Sequence, residues 1–179
     1  MCDFIVQADR IDLVLEDPAE VLARIEALSP ADRAQVSPAW LAQALAATEA
    51  DPWLHGFKMV DRATGAAVGS CGFKGPPNTE RIVELAYGVN PEYQGRGYAT
   101  ESANALVDFA FRDGIIRTVC AHTLAGHIAS ERVLAKAGFK RIGDVIDPED
   151  GPVVRWERHN PKAEQSSQPE PPMTRVLNS

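Results

Sequence analysis

The stretch Gln94-Gly95-Arg96-Gly97-Tyr98-Ala99 decides how this chain folds, because an apolar strand-like run (Ile82 to Val89) precedes it and a helix-like one (Ala99 to Ala110) follows. Two glycines within three residues let the backbone approach a ligand closely. The first helical turn then offers unpaired N–H groups at the positive end of the helix dipole. Strand, glycine-rich turn and helix start together predict an anion cradle.

Spacing selects the anion. No Lys followed by Ser or Thr closes a six-residue glycine frame, which excludes a nucleotide-triphosphate P-loop. Gly95-x-Gly97-x-x-Thr100 is one residue short of the dinucleotide fingerprint, whose third small residue allows close packing of helix on strand. No acidic residue ends a second parallel strand about 20 positions on, so a nicotinamide or flavin reading is weak.

Working outward, Arg81 to Val89 is expected as the central strand, with Ala103, Leu106, Val107 and Ala110 as the buried side of the helix after the loop. Upstream, Ile11 to Leu15 reads as the first strand. Asp17-Pro18 and Ser37-Pro38 each supply a cap followed by proline at the first helical position. Val21, Leu22, Ile25 and Leu28 give the first helix its stripe, and Trp40, Leu41 and Leu45 the second. Leu54 to Val60 and Ala66 to Phe73 read as a hairpin joined by Asp61 to Gly65. Downstream follow a strand (Arg117 to Thr123), a helix (Ile128 to Ala137) closed by Gly138, and a hairpin (Phe139 to Ile146 with Val153 to Glu157). Residues 1–159 form one domain. Beyond Asn160, prolines interspersed with Gln, Ser and Glu predict a disordered tail over 160–179.

Gln94-x-x-Gly97-x-Ala99 resembles the Q/R-x-x-G-x-G/A signature of the GCN5-related N-acetyltransferase (GNAT) superfamily. His127-Ile128-Ala129-Ser130, Val133-Leu134 and Lys136-Ala137-Gly138-Phe139 resemble that family's later N-x-x-S and vLeK-x-GF helix. With Glu84 to Val89 and Asn90-Pro91-Glu92-Tyr93, the pattern is similar to the ribosomal-protein alanine acetyltransferase branch. The likeness covers most of residues 10 to 158 and is sharp from about 82 to 139. It implies an α/β fold of the α+β type, with a twisted, mainly antiparallel mixed sheet flanked by helices and split between the Arg81 to Val89 and Arg117 to Thr123 strands.

The resemblance further implies acetyl coenzyme A as cosubstrate and no metal. Backbone N–H groups of Gly95, Arg96, Gly97, Tyr98 and Ala99 would hold pyrophosphate, with Gln94 and Thr100 flanking them. Tyr87, Gly88 and Val89 would bind the pantetheine arm as an added strand, and His127 and Ser130 would contact the coenzyme. The expected reaction is direct transfer of acetyl to a primary amine. A protein N-terminus or Lys is the first choice of acceptor and a small amine the second. The alternative is a non-catalytic acyl-coenzyme A binding or sensor module, because His127 stands where the family has Asn and Leu134 where some members have a Tyr acid. Tyr98 and Tyr93 are substitutes for that acid. Backbone donors near Tyr87 would polarise the thioester oxygen.

Amine attack requires a base, because a lysine amine titrates at about 10.4 and an α-amine near 8. Glu84 lies in an otherwise apolar strand, on the same face as Ala86 and Gly88. It is one candidate, competing with a structural ion-pair role. His122 on the neighbouring strand is the other.

Composition agrees with such an enzyme. With 179 residues, 45% of them apolar, the chain is sized for one well-filled core. Cys2, Cys71 and Cys120 are scattered, which indicates neither a disulfide framework nor a zinc site and fits a reducing cytoplasm. No signal peptide or membrane-length apolar run is expected. A net charge of -7 disfavours nucleic acid and suits an amine partner, while on charge alone it is explained as well by solubility. A homodimer remains compatible with all of this.

Overall fold

The computed structural model describes residues 4–34, 36–148 and 150–165. Eight strands form one sheet: β1 (Ile5–Gln7), β2 (Ile11–Leu15), β3 (Phe57–Asp61), β4 (Ala67–Phe73), β5 (Ile82–Val89), β6 (Thr118–Leu124), β7 (Lys140–Asp147) and β8 (Gly151–His159), in the order β1-β2-β3-β4-β5-β6-β8-β7. Every neighbouring pair is antiparallel except β5 with β6. Those two are parallel and matched only from Ile82↔Thr118 to Glu84↔Cys120. Beyond Glu84 they part, which is the split expected from the sequence.

The helices are α1 (Pro18–Glu26), α2 (Pro30–Arg33), α3 (Pro38–Ala46), α4 (Tyr98–Phe111), α5 (Ile128–Lys136) and α6 (Pro161–Gln165). Among the described residues, none is long and apolar enough to cross a membrane. The Asp17 carboxylate accepts the Glu20 N–H while the Glu20 side chain accepts the Asp17 N–H, a capping box that starts α1 at Pro18. Ser37 caps α3 similarly, accepting from the Trp40 N–H at 3.5 Å. Alternation along β5 places Val83 and Leu85 in the core beneath α4 and α5, leaving Glu84, Ala86 and Gly88 on the other face. Ala103, Leu106, Val107 and Ala110 of α4 are buried as the helical spacing required.

Four expectations change. Ile5–Gln7 is an additional edge strand, because Leu15 N–H bonds the Phe4 carbonyl and Val6 is buried against Leu13. The Leu54 to Val60 run begins as strand only at Phe57. Before it, the Asp51 carbonyl accepts the N–H groups of Leu54 and His55, and Gly56 turns the chain at φ 80°. Leu45 is exposed and Ala44 is the buried residue of α3. The tail expected from residue 160 starts with buried Asn160, whose side chain donates to the Ile116 carbonyl at 2.9 Å, and continues into α6; residues 166–179 lie outside the described residues.

Candidate active site

β5 runs into a single 3₁₀ turn (Pro91–Tyr93) and then the glycine loop. Gly95 and Gly97 have φ of 74° and 88°, left-handed values that other residues adopt only with strain. Gly97 is the N-cap of α4 and offers no side-chain acceptor, so the N–H groups of this 14-residue helix's first turn are free to meet an anion. The loop is braced from within. Gln94 Nε2 donates to the Val89 carbonyl at 3.0 Å, and Arg96 donates to the Glu92 carbonyl while lying over the Tyr93 ring.

Tyr98 is buried, and its hydroxyl donates to Asp61 Oδ2 at 2.6 Å. That bond, with further bonds from Thr64, holds the Asp61 carboxyl down at about 2. Arg10 lies over the Tyr98 ring and pairs with Glu101 at 2.9 Å. The start of α4 is thus tied to the β3–β4 hairpin and the β1–β2 turn. These contacts use the Tyr98 hydroxyl structurally, away from the split, and so correct the idea of Tyr98 as a substitute acid. Tyr93 likewise packs under Arg96. Thr100 lies beside Gly97 in a groove with Arg10, Asn104 and Lys136.

A cavity of about 100 Å³ occupies the split. Leu85, Ala121, Ser130 and Leu134 line it from the α5 side, and Glu84, His122 and Lys74 from the other. The two candidate bases therefore belong to one cluster: His122 Nδ1 is 3.0 Å from Glu84 Oε1 and 3.9 Å from Asp147 Oδ2. Lys74 Nζ pairs with Glu84 at 2.8 Å and Asp150 at 3.2 Å. Burial pushes the Lys74 ammonium down, but the two carboxylates outweigh it and hold its titration above the usual lysine range. His127 Nδ1 contacts the Ser130 hydroxyl at 2.8 Å and makes no cap bond to α5.

The sequence reading did not include the side chain of Tyr87. Its hydroxyl donates to the Ser130 carbonyl at 3.4 Å, one helical turn before Leu134, and burial raises it to about 12 with that bond offsetting part of the rise. Lys74 was also missed, although Phe73↔Leu85 pairing places it beside Glu84, a register readable from two strand patterns. On the face opposite α4, a cavity of about 600 Å³ opens between α1, α3 and the β4–β5 strands, lined by Glu16, Arg24, Trp40, His55, Ser70 and Tyr87 among others.

A mixed sheet whose two parallel strands pair only from Ile82 to Glu84, with a glycine turn and an uncapped helix after the first of them, is the architecture expected from the resemblance. Residues 5–140 match the acetyltransferase (GNAT) domain model, and the chain belongs to that family. It is 34% identical over 64 residues to the uncharacterised N-acetyltransferase YnaD of Bacillus subtilis, a match spanning 36% of this chain and 38% of that relative. In structure it resembles the ribosomal-protein-S5-alanine acetyltransferase of Vibrio fischeri (TM-score 0.65, 16% identity, 89% of this chain and 98% of that one). It also resembles the aminoglycoside acetyltransferase AAC(6')-Ib, solved with coenzyme A and kanamycin (TM-score 0.61, 19% identity, 88% and 99%). At such identities these two likenesses concern the fold.

Proposed function

We propose that the protein transfers acetyl from acetyl coenzyme A to a primary amine by direct attack. The observation that carries this reading is the uncapped start of α4 at Gly97, which follows a strand whose pairing with β6 ends at Glu84 and leaves a small cavity lined by residues of both faces of the sheet. Pyrophosphate would meet the N–H groups from Gly95 to Ala99. The pantetheine arm would follow the edge of β5 beyond Glu84, toward Ser130 and Leu134. The thioester then reaches the small cavity from the α5 side, and the amine from the larger cavity opposite.

There the amine nitrogen attacks the thioester carbonyl, the N–C bond forms and the C–S bond breaks. Glu84, with His122 beside it, takes the proton shed by the amine. The departing thiolate takes a proton from the Tyr87 hydroxyl, which supplies what Leu134 lacks; Glu84 releases the amine's proton to solvent and solvent returns one to the phenolate, so no net proton is consumed. The acceptor is a protein N-terminus or Lys in first place and a small amine in second.

Calorimetry with acetyl coenzyme A, together with coenzyme A release over a panel of peptides and amines, tests this. Turnover on any amine supports the enzyme; tight binding without turnover would make it a sensor. Gly97→Glu places a carboxylate in the anion cradle and should abolish coenzyme binding.

A further inference from the structure

Lys74 lines the small cavity, the larger one and a further cavity of about 310 Å³ that Cys120 and Arg155 also line. Its Nζ stands between Glu84 Oε1 at 2.8 Å and Asp150 Oδ2 at 3.2 Å. The two contacts differ. Toward Asp150, in the turn between β7 and β8, the ammonium donates a hydrogen bond. Toward Glu84 it offers charge without an aligned bond, and Glu84 Oε1 is buried with no hydrogen-bond partner among the described residues. Lys74 Nζ and His122 Nδ1, at 3.0 Å, stand over that oxygen. The His122 side chain is only 8% exposed, whereas Lys74 is 38% exposed and ends a flexible four-carbon stem. Its backbone is fixed, since the Lys74 N–H bonds the Glu84 carbonyl at 2.9 Å. The movable part of the cover over Glu84 is therefore the Lys74 ammonium.

Charge balance says what can move it. A carboxylate largely withdrawn from water needs a cation beside it, and removing that cation alone is costly. Arg155 is held by Glu157 at 2.7 Å, which leaves Lys74 to serve Glu84. A lysine-like amine titrates at about 10.4 and so arrives at neutral pH as an ammonium, the same group as Nζ. When it takes the Glu84 side, Lys74 keeps Asp150, which is half-exposed and already its hydrogen-bond partner. One ammonium replaces another, and the carboxylate is never left alone.

We propose that Lys74 is a resident stand-in for the acceptor: its ammonium holds the acceptor's seat on Glu84, and the acceptor gains that seat by displacing Lys74 onto Asp150. The acceptor is thereby selected as a cation, and Glu84 takes its proton only after the exchange. This rests on the acetyltransferase reading above and adds to it how the amine is recognised.

The experiment follows coenzyme A release at pH 8 with a lysine-containing peptide, a peptide with N-terminal alanine, spermidine and kanamycin, and carries the amine turned over best through the variants. Lys74→Met removes the competing charge and keeps the length of the stem; it should lower KM for the amine by about three- to tenfold. Asp150→Asn removes the place to which Lys74 withdraws and should raise KM by a similar factor. In the Lys74→Met background the same Asp150→Asn change should leave KM where Lys74→Met set it. A loss of kcat in Lys74→Met without a fall in KM would make Lys74 a support for Glu84, and a rise in KM from Asp150→Asn that persists without Lys74 would put Asp150 on the acceptor itself. Either result overturns the inference and leaves the acetyltransferase intact. Absence of turnover on all of the amines, with acetyl coenzyme A still bound, overturns both.

Discussion

Three side chains repay attention one at a time. Glu84→Gln should lower kcat about 100-fold with the KM for acetyl coenzyme A unchanged, and steady-state kinetics with an intact kcat would remove Glu84 from the mechanism. Tyr87→Phe should cost roughly tenfold in kcat, less than proton transfer usually gives, because a thiolate whose acid titrates near 8.5 leaves readily. Asp61 concerns stability. Its folded-state carboxyl lies at about 2 against an ordinary 3.8, so its contribution is fully present above 3.8 and is lost as pH falls toward 2. Melting curves of the wild type and Asp61→Asn should therefore differ at neutral pH and converge at the acid end of that window.

At the level of elements, two glycines hold the site together for different reasons. A Cβ at Gly72 would stand 2.7 Å from Gly56 Cα, backbone against backbone, so Gly72→Ala should cost about 1–3 kcal/mol in urea unfolding and displace the loop that carries His55. Glycine at 97 answers to φ 88°, where a side chain costs about 1–2 kcal/mol. The strand, glycine turn and helix from Ile82 to Phe111 were legible because their determinants are local: glycine spacing, an apolar run before it, a helical stripe after it. Glu84 and His122 were legible as single residues, but their 3.0 Å proximity needs the register between β5 and β6, which no local pattern states. The Asp51 to Gly56 turn was invisible for a related reason. Leu54, Phe57 and Met59 read as strand, and only the bonds collected by Asp51 reveal that the first of them lies in a turn.

Taken whole, the protein should be stabilised by acetyl coenzyme A, the cosubstrate proposed above. Binding to the native state alone adds RT ln(1 + [L]/Kd), about 2.7 kcal/mol at a hundredfold excess over Kd, and a thermal shift that grows with acetyl coenzyme A concentration would display it. Both described cysteines, Cys71 and Cys120, are buried, with Cys120 raised to about 11 mainly by burial, so these two thiols should react slowly with thiol reagents at pH 8 in the folded protein and rapidly once it is unfolded. The sheet has its own weak seam. Strands β1 to β5 form one antiparallel unit and β6, β8 and β7 another, joined by three matched residue pairs. Beyond Glu84 the edge of β5 that faces the seam has no strand partner, so a coenzyme arm laid along it should slow amide exchange there, which hydrogen exchange with and without acetyl coenzyme A would read.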